Sequence, residues 1–293
     1  MERKVIQVEE RPPLLLNIPL SIQHLFAMFG STVLVPFLFG VNPTTCLFMN
    51  GIGTLLYIFL TKGKIPSYLG SSFAFISPVL LILSTSGYAD AQSGFIVFGL
   101  LFMLFSIIIH YVGTSWIDVI FPPAAMGAII AVIGLELAPV AANMAGLTGD
   151  NIQPVNIAVS MFTLAVGIIG SVAFRGFMSI IPILFGVICG YVFAAFMGMV
   201  NFQPIIDAPW LQLPHFYAPH FNLNAIMIIA PAALVVLAEH IGHLVVTGNI
   251  VERNLIKDPG LSRSLFADGL SNVVSGFAGA TPNTTYGENI GVM

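Results

Sequence analysis

The stretch Tyr68-Leu69-Gly70-Ser71-Ser72-Phe73-Ala74-Phe75-Ile76-Ser77-Pro78 decides how this chain is threaded. It opens with small and polar residues and continues as an apolar half-helix, so it reads either as an irregular membrane crossing or as a loop between two crossings. Charge separates the two readings. The nine basic residues are Arg3, Lys4, Arg11, Lys62, Lys64, Arg175, Arg253, Lys257 and Arg263. If residues 68–84 cross, all nine lie on one face, and the opposite loops carry Asp90, Asp150 and Asp207 with no Lys or Arg. If they form a loop, Arg175 and the 253–263 group change face, against the positive-inside rule. The segment is therefore read as a span, with the N-terminus in the cytoplasm.

The rest of the chain agrees with a membrane reading. Hydrophobic residues make up 57% and charged residues 8%, with a mean hydropathy of +0.96, whereas a soluble domain carries about 25% charged residues. A soluble fold is excluded. A span needs about 20 apolar residues, and apolar length with breaker residues places nine spans at about 17–40, 44–61, 68–84, 94–113, 117–138, 155–174, 177–199, 224–247 and 262–280. The start, MERKVIQVEERPP, has no short apolar region followed by a small-residue cleavage site, so the first span is expected to direct insertion. Cys46 and Cys189 stand in apolar surroundings in different spans and read as small buried hydrophobes. No phosphate-binding loop of the G-x-x-x-x-G-K-[ST] type occurs. A transporter built on this chain would be driven by an ion gradient.

Punctuation repeats along the chain. An offset of 216 residues pairs His24 with His240, Pro43 with Pro259 and Pro66 with Pro282, and sets Gln23 against Glu239. Asn50-Gly51 and Asp268-Gly269 match two residues later. Duplicated units in inverted orientation are common in transporters. A seven-span unit repeated from span eight implies fourteen spans and about 430 residues in a complete protein, of which this chain holds about nine and a half spans. On that reading the chain is expected to stop at membrane depth. The same offset lays Tyr68-Leu69-Gly70-Ser71 near Tyr286-Gly287-Glu288-Asn289, so the third and tenth spans are both expected to be broken. Paired, glycine-interrupted segments in two halves point to a midplane binding site, because broken helices expose backbone N–H groups and positive helix ends.

Among residues able to carry chemistry, Glu239 lies deep in the eighth span, within Leu234-Val235-Val236-Leu237-Ala238-Glu239-His240-Ile241-Gly242-His243-Leu244. A carboxylate at that depth costs a few kcal/mol on insertion scales and marks a functional site. His243, one helical turn on, shares its face and makes a pair able to exchange a proton. His240 points elsewhere. Glu136 has no such neighbour and reads as structural or vestibular. The order Glu239-His240-x-x-His243 differs from the zinc helix H-E-x-x-H, which needs two His at i and i+4 with Glu between them. No metal site and no enzyme activity are expected.

These residues resemble a known family. Gln23-His24, Gly70-Ser71-Ser72-Phe73-Ala74-Phe75, Glu239-His240-Ile241-Gly242-His243 and Thr281-Pro282-Asn283-Thr284-Thr285-Tyr286-Gly287-Glu288-Asn289-Ile290-Gly291 are similar to the nucleobase/ascorbate transporter family, most closely to its bacterial uracil carriers. The likeness runs through essentially the whole chain. Glu288-Asn289-x-Gly291 opens the family signature, whose later positions would fall beyond Met293.

The resemblance implies an all-α polytopic fold of two inverted seven-span repeats in the bacterial inner membrane, with a core domain and a gate domain. Residues 1–113 would hold core spans 1–4 and residues 114–200 the first half of the gate. Residues 201–223 would be an extracellular loop, and residues 224–293 would continue the core. It implies proton-coupled symport of uracil by alternating access, without a cofactor. Glu239 and Glu288 would accept uracil N–H groups, and the backbone N–H groups of Phe73 and Gly287 would donate to its carbonyls. His243 would be the proton-linked partner of Glu239. Ser72, Tyr286 and Asn289 would support the site, with His24 secondary. A homodimer is implied for a complete protein, lipid as its surroundings, and no nucleic acid as partner. A purine or xanthine carrier of the same family is the alternative substrate reading. A membrane scaffold or an intramembrane metalloenzyme would show no saturable uptake.

Overall fold

Hydrocarbon offers no water to a bare backbone, so each apolar run must satisfy its own hydrogen bonds, and most of the described residues are helical. The computed structural model describes residues 7–120, 122–149, 152–175, 178, 182–209 and 213–293. Arg3, Lys4 and Asp150, used above for orientation, lie outside them, as do residues 121, 177 and 179–181 of the expected fifth and seventh spans.

The first expected span is α1 (Leu14–Ala27) and α2 (Phe29–Phe39), interrupted at Met28. The second is α3 (Pro43–Leu60), capped by Asn42, whose side chain accepts from Thr44 N–H at 2.9 Å. The third is broken as expected: β1 (Leu69–Ser71) leads through a 3-10 turn (Phe73–Phe75) into the two-turn helix α4 (Ile76–Leu83). Then follow α5 (Tyr88–Val112), the short α6 (Ile117–Ile120), α7 (Pro123–Met144), α8 (Pro154–Ala173), α9 (Pro182–Phe196) and the short α10 (Gln203–Ile206). The eighth span is divided into α11 (Leu223–Ile229) and α12 (Ala232–Ile250) at Pro231, whose ring cannot donate to the helix ladder. After α13 (Leu261–Ala278) come β2 (Asn283–Thr285) and α14 (Gly287–Ile290), so the tenth expected span is broken as well. Five helical segments among the described residues are long and apolar enough to cross a membrane: 17–39, 43–60, 88–112, 154–173 and 223–250.

The two strands pair antiparallel, Leu69 opposite Thr285, Gly70 opposite Thr284 and Ser71 opposite Asn283. Ser72 N–H to Pro282 C=O and Tyr286 N–H to Tyr68 C=O, both 3.0 Å, extend the ladder at its two ends. Leu69 and Thr285 stand 216 residues apart, the offset at which the sequence punctuation repeats.

Around this ribbon α13 packs against both α5 and α3. The α5 contact is backbone on backbone: a Cβ on Gly99 would lie 2.6 Å from the Gly269 carbonyl, and a Cβ on Gly269 would lie 2.6 Å from the Gly99 carbonyl. Small residues at such a crossing let helices approach where lipid gives no hydrophobic drive between them. Phe75, Phe95, Phe98 and Phe102 fill the adjoining core, Phe75 standing edge-on to Phe98 at 4.8 Å between ring centres.

Ion pairs tie the loops at the two ends of the bundle. Lys64 binds Asp258, and Arg253 grips both carboxylate oxygens of Glu9, joining the N-terminal segment, the loop after α3 and the loop after α12. The guanidinium of Arg253 holds the exposed Glu9 carboxyl below its ordinary range. At the opposite end Asp90 accepts from His220 and from Asn222, and Gln92 donates to the Tyr217 and Gly276 carbonyls. Residues 213–222 thus form a strap across the ends of the core helices.

The glycine crossing predicts a specific pattern. Gly99→Ala and Gly269→Ala should each destabilise the protein by about 1–3 kcal/mol through overpacking. The double variant should cost less than their sum, because helices already forced apart accept the second methyl group. Thermal unfolding in detergent measures this; additive losses would mean the two glycines do not share one crossing.

Candidate functional site

Phe73 is the first residue of the 3-10 turn and Gly287 the first residue of α14, so neither backbone N–H has a partner within its own turn. The strand pairing brings these two helix starts to the same place in the protein. Phe73 and Glu288 line one cavity of about 600 Å³, between α2 residues that include Phe29 and Ser31 and the α9 residues Pro182, Ile183 and Val187. The side chains of the cavity wall are apolar apart from Glu288 and Ser31, which suits a small planar ligand with a polar edge.

Glu239 and His243 are close by but do not line that cavity. His243 lies against the α14 start: a Cβ on Gly287 would come within 2.9 Å of its Nε2, while its Nδ1 meets Thr285 Oγ1 at 3.2 Å. The side chain of Glu239 has a buried Oε2 with no hydrogen-bond partner. The two therefore share a helix face as expected without bonding to each other. A buried carboxylate oxygen left open this way is costly unless a proton or a ligand donor completes it.

The supporting residues hold the scaffold. The Ser72 side chain accepts from Ala74 N–H at 3.4 Å and starts the 3-10 turn. Tyr286 lays its ring over Gly70, where any Cβ would clash with Cζ. Its hydroxyl donates to Ser71 C=O at 2.9 Å, accepts from the Ser31 hydroxyl and stands 3.1 Å from Thr32 Oγ1. One phenol thus ties β1 to the helix that forms the cavity wall. Asn289 Nδ2 donates to His24 C=O and reaches His24 Nδ1, both at 3.1 Å. His24 and Asn289 line a separate cavity of about 460 Å³ beside Tyr68, away from Phe73 and Glu288.

Sequence reading missed a second polar centre. His240, fully buried, brings Nδ1 to 2.9 Å from Asp268 Oδ2, off the line of a hydrogen bond, while its Nε2 contacts Ser264 Oγ at 2.7 Å. Ser264 in turn meets the buried Tyr57 hydroxyl at 2.6 Å. Asn272 donates to Asp268 Oδ1 at 3.0 Å and exchanges side-chain and backbone bonds with Asn283 on β2. Asp268 is a carboxylate inside a span, and the rule that singled out Glu239 applied to it equally.

The profile of the permease family matches residues 16–293. The chain belongs to that family. It is a multi-pass membrane transport protein, not an enzyme, as the broken-span motifs led us to expect. Among its relatives, the uracil permease of Paenibacillus larvae subsp. larvae is 62% identical over 299 residues, covering all of this chain and 71% of that protein. The uracil permease of Escherichia coli K12 is 64% identical over 296 residues, covering all of this chain and 69% of that protein. The uracil permease of Bacillus subtilis is 46% identical, covering 93% of this chain and 65% of its own length. The chain is thus shorter than each of them. The transmembrane domain of a cyanobacterium bicarbonate transporter, BicA, superposes with a TM-score of 0.65 at 15% identity, covering 93% of this chain and 76% of that one, and so shares the fold.

Removing the Tyr286 hydroxyl leaves Ser71 C=O and the Ser31 hydroxyl without their buried partner. Tyr286→Phe should therefore cost about 1–3 kcal/mol of stability. An unchanged melting temperature in purified Tyr286→Phe would show that this phenol does not tie β1 to α2.

Proposed function

We propose that this permease carries uracil across the bacterial inner membrane in symport with protons. The observation that carries the reading is the single cavity lined by both Glu288 and Phe73, whose backbone N–H, at the start of the 3-10 turn, has no partner within that turn. Uracil presents N–H donors and carbonyl acceptors along one edge. A carboxylate accepts from the first and a helix-start amide donates to the second, which is the complement required. Relatives named uracil permease at 62% and 64% identity support uracil over a purine or xanthine as the substrate.

For coupling, Glu239 and His243 are the proposed proton-linked pair, lying directly behind the α14 start. A proton on Glu239 would satisfy the open Oε2 and let substrate approach Glu288 with one less negative charge beside it. Alternating access would move the α8–α9 side against the core. In support, only 6% of the most apolar window of α8 is buried, against 39% in α5 and 50% in α11–α12, so this wall is lightly held while the opposite one is deeply packed. The 216-residue spacing of Leu69 and Thr285 supports an inverted repeat as the basis of the motion. The grouping of Lys64, Arg253, Lys257 and Arg263 near the loops after α3 and α12 supports a cytoplasmic N-terminus.

Two variants test the assignment in membrane vesicles. Loss of a charge-assisted hydrogen bond worth about 1.5–3 kcal/mol means Glu288→Ala should weaken uracil binding at least about tenfold. Binding at wild-type affinity would remove Glu288 from the site. Glu239→Gln should still exchange uracil across the membrane but no longer accumulate it when a proton gradient is imposed. Unimpaired accumulation by Glu239→Gln would take that residue out of the coupling step. Competition with xanthine separates the two substrate readings.

A further inference from the structure

A groove of about 880 Å³ opens on the lipid-facing side where the ends of α3 and α5 meet the start of α13, remote from the transport cavity. Its rim holds Lys62, Arg263 and His110, and its walls hold Phe59, Ile107 and Phe266. No carboxylate lines it. Elsewhere at this end of the bundle Lys64 and Arg253 are neutralised by Asp258 and Glu9, but among the described residues neither Lys62 nor Arg263 has an ion-pair partner. Lys62 also occupies a left-handed backbone conformation, φ +58°, just past the end of α3, a position that glycine or asparagine would fill without strain. A lysine is held there at some conformational cost.

We infer that this groove binds the phosphate head of an anionic phospholipid, with its acyl chains lying along α5 and α13. Two features choose lipid over free phosphate. First, the groove lies at the headgroup level: Lys62 follows the last turn of α3, Arg263 sits in the first turn of α13, and Tyr111, 82% exposed in the last turn of α5, marks the aromatic belt. Second, the apolar wall continues away from the charges as exposed stripes at helical spacing. Ile107, Leu104 and Leu100 descend α5, and beyond the half-buried Phe266 the exposed Val274 and Phe277 descend α13. A free phosphate would make no use of those stripes. Arg263 offers a planar fork to phosphate oxygens, Lys62 a point charge and His110 a further ring nitrogen.

The test uses purified protein in nanodiscs of phosphatidylcholine into which phosphatidylglycerol is titrated, with retained lipid counted by native mass spectrometry. Two basic residues near an anionic surface should give about a thirtyfold preference for phosphatidylglycerol, and Lys62→Gln/Arg263→Gln should abolish it. Lys257→Gln removes the same kind of charge from the same end of the molecule but outside the groove, and should leave retention unchanged. The inference is overturned if the double variant keeps its anionic lipid, if Lys257→Gln loses as much, or if excess inorganic phosphate displaces the lipid. Should the double variant fail to fold, the wild-type comparison decides alone: equal retention of the two lipids overturns the site.

Discussion

A short antiparallel ladder at the centre of the bundle is the constraint from which the rest of the architecture follows. Leu69–Ser71 and Asn283–Thr285 are extended backbone inside a membrane protein, where each unpaired N–H or C=O costs several kcal/mol. They are fully buried, and are tolerable because each strand pairs with the other and side chains of Thr54, Asn272 and Tyr286 take up backbone groups the ladder leaves over. Pairing fixes where the strands end. Where they end, the 3-10 turn and α14 begin, and these two starts place Phe73 and Glu288 on the wall of one cavity. The site is therefore a by-product of solving the backbone problem, and neither strand can build half of it alone.

The ladder in turn dictates an unusually polar neighbour. Asn283 hydrogen-bonds through side chain and backbone with Asn272, and its side-chain oxygen accepts from Ser271 at 3.0 Å while Asp268 closes the group from below. All these groups are fully buried. Polar residues that would weaken a lipid-facing helix are affordable in α13 because its other side is sealed by α5 at the Gly99–Gly269 crossing. Close packing and polar satisfaction are thus linked, since a looser crossing would admit lipid tails or water to the amide network.

Much of this was legible in the sequence. Apolar length places an expected span on each of the five helical segments long enough to cross a membrane, because the bilayer thickness is a fixed ruler. The glycine and serine content of residues 70–72 marks the break that the structure shows as a strand and a 3-10 turn ahead of α4. Glu239 announces itself because a lone carboxylate in an apolar run has few structural explanations. What remained hidden depends on pairing in three dimensions. His240 could be assigned to a face but not to Asp268, 28 positions on, and the Tyr286 hydroxyl could not be matched to Ser31 across most of the chain. The interruption at Met28 carries no breaker of its own in the sequence. The placement of Glu239 behind the cavity rather than on its wall likewise follows from how α12 rotates against the strands, which periodicity does not report.

The two kinds of carboxylate environment also bear on how one protein separates rigidity from response. Asp268 is enclosed by Asn272, Thr284 and His240, so its charge is shared among fixed partners and changing it would disturb the amide network under β2. Glu239 keeps one oxygen open, and Glu288 faces a cavity. A carboxylate with a donor on each oxygen is held in place, whereas one with an open oxygen has room for a further donor without first breaking a bond. The same span-buried residue type therefore stands among bonded partners on α13 and keeps an open oxygen on α12 or a cavity face on α14, and the difference lies in the hydrogen-bond partners each helix face supplies.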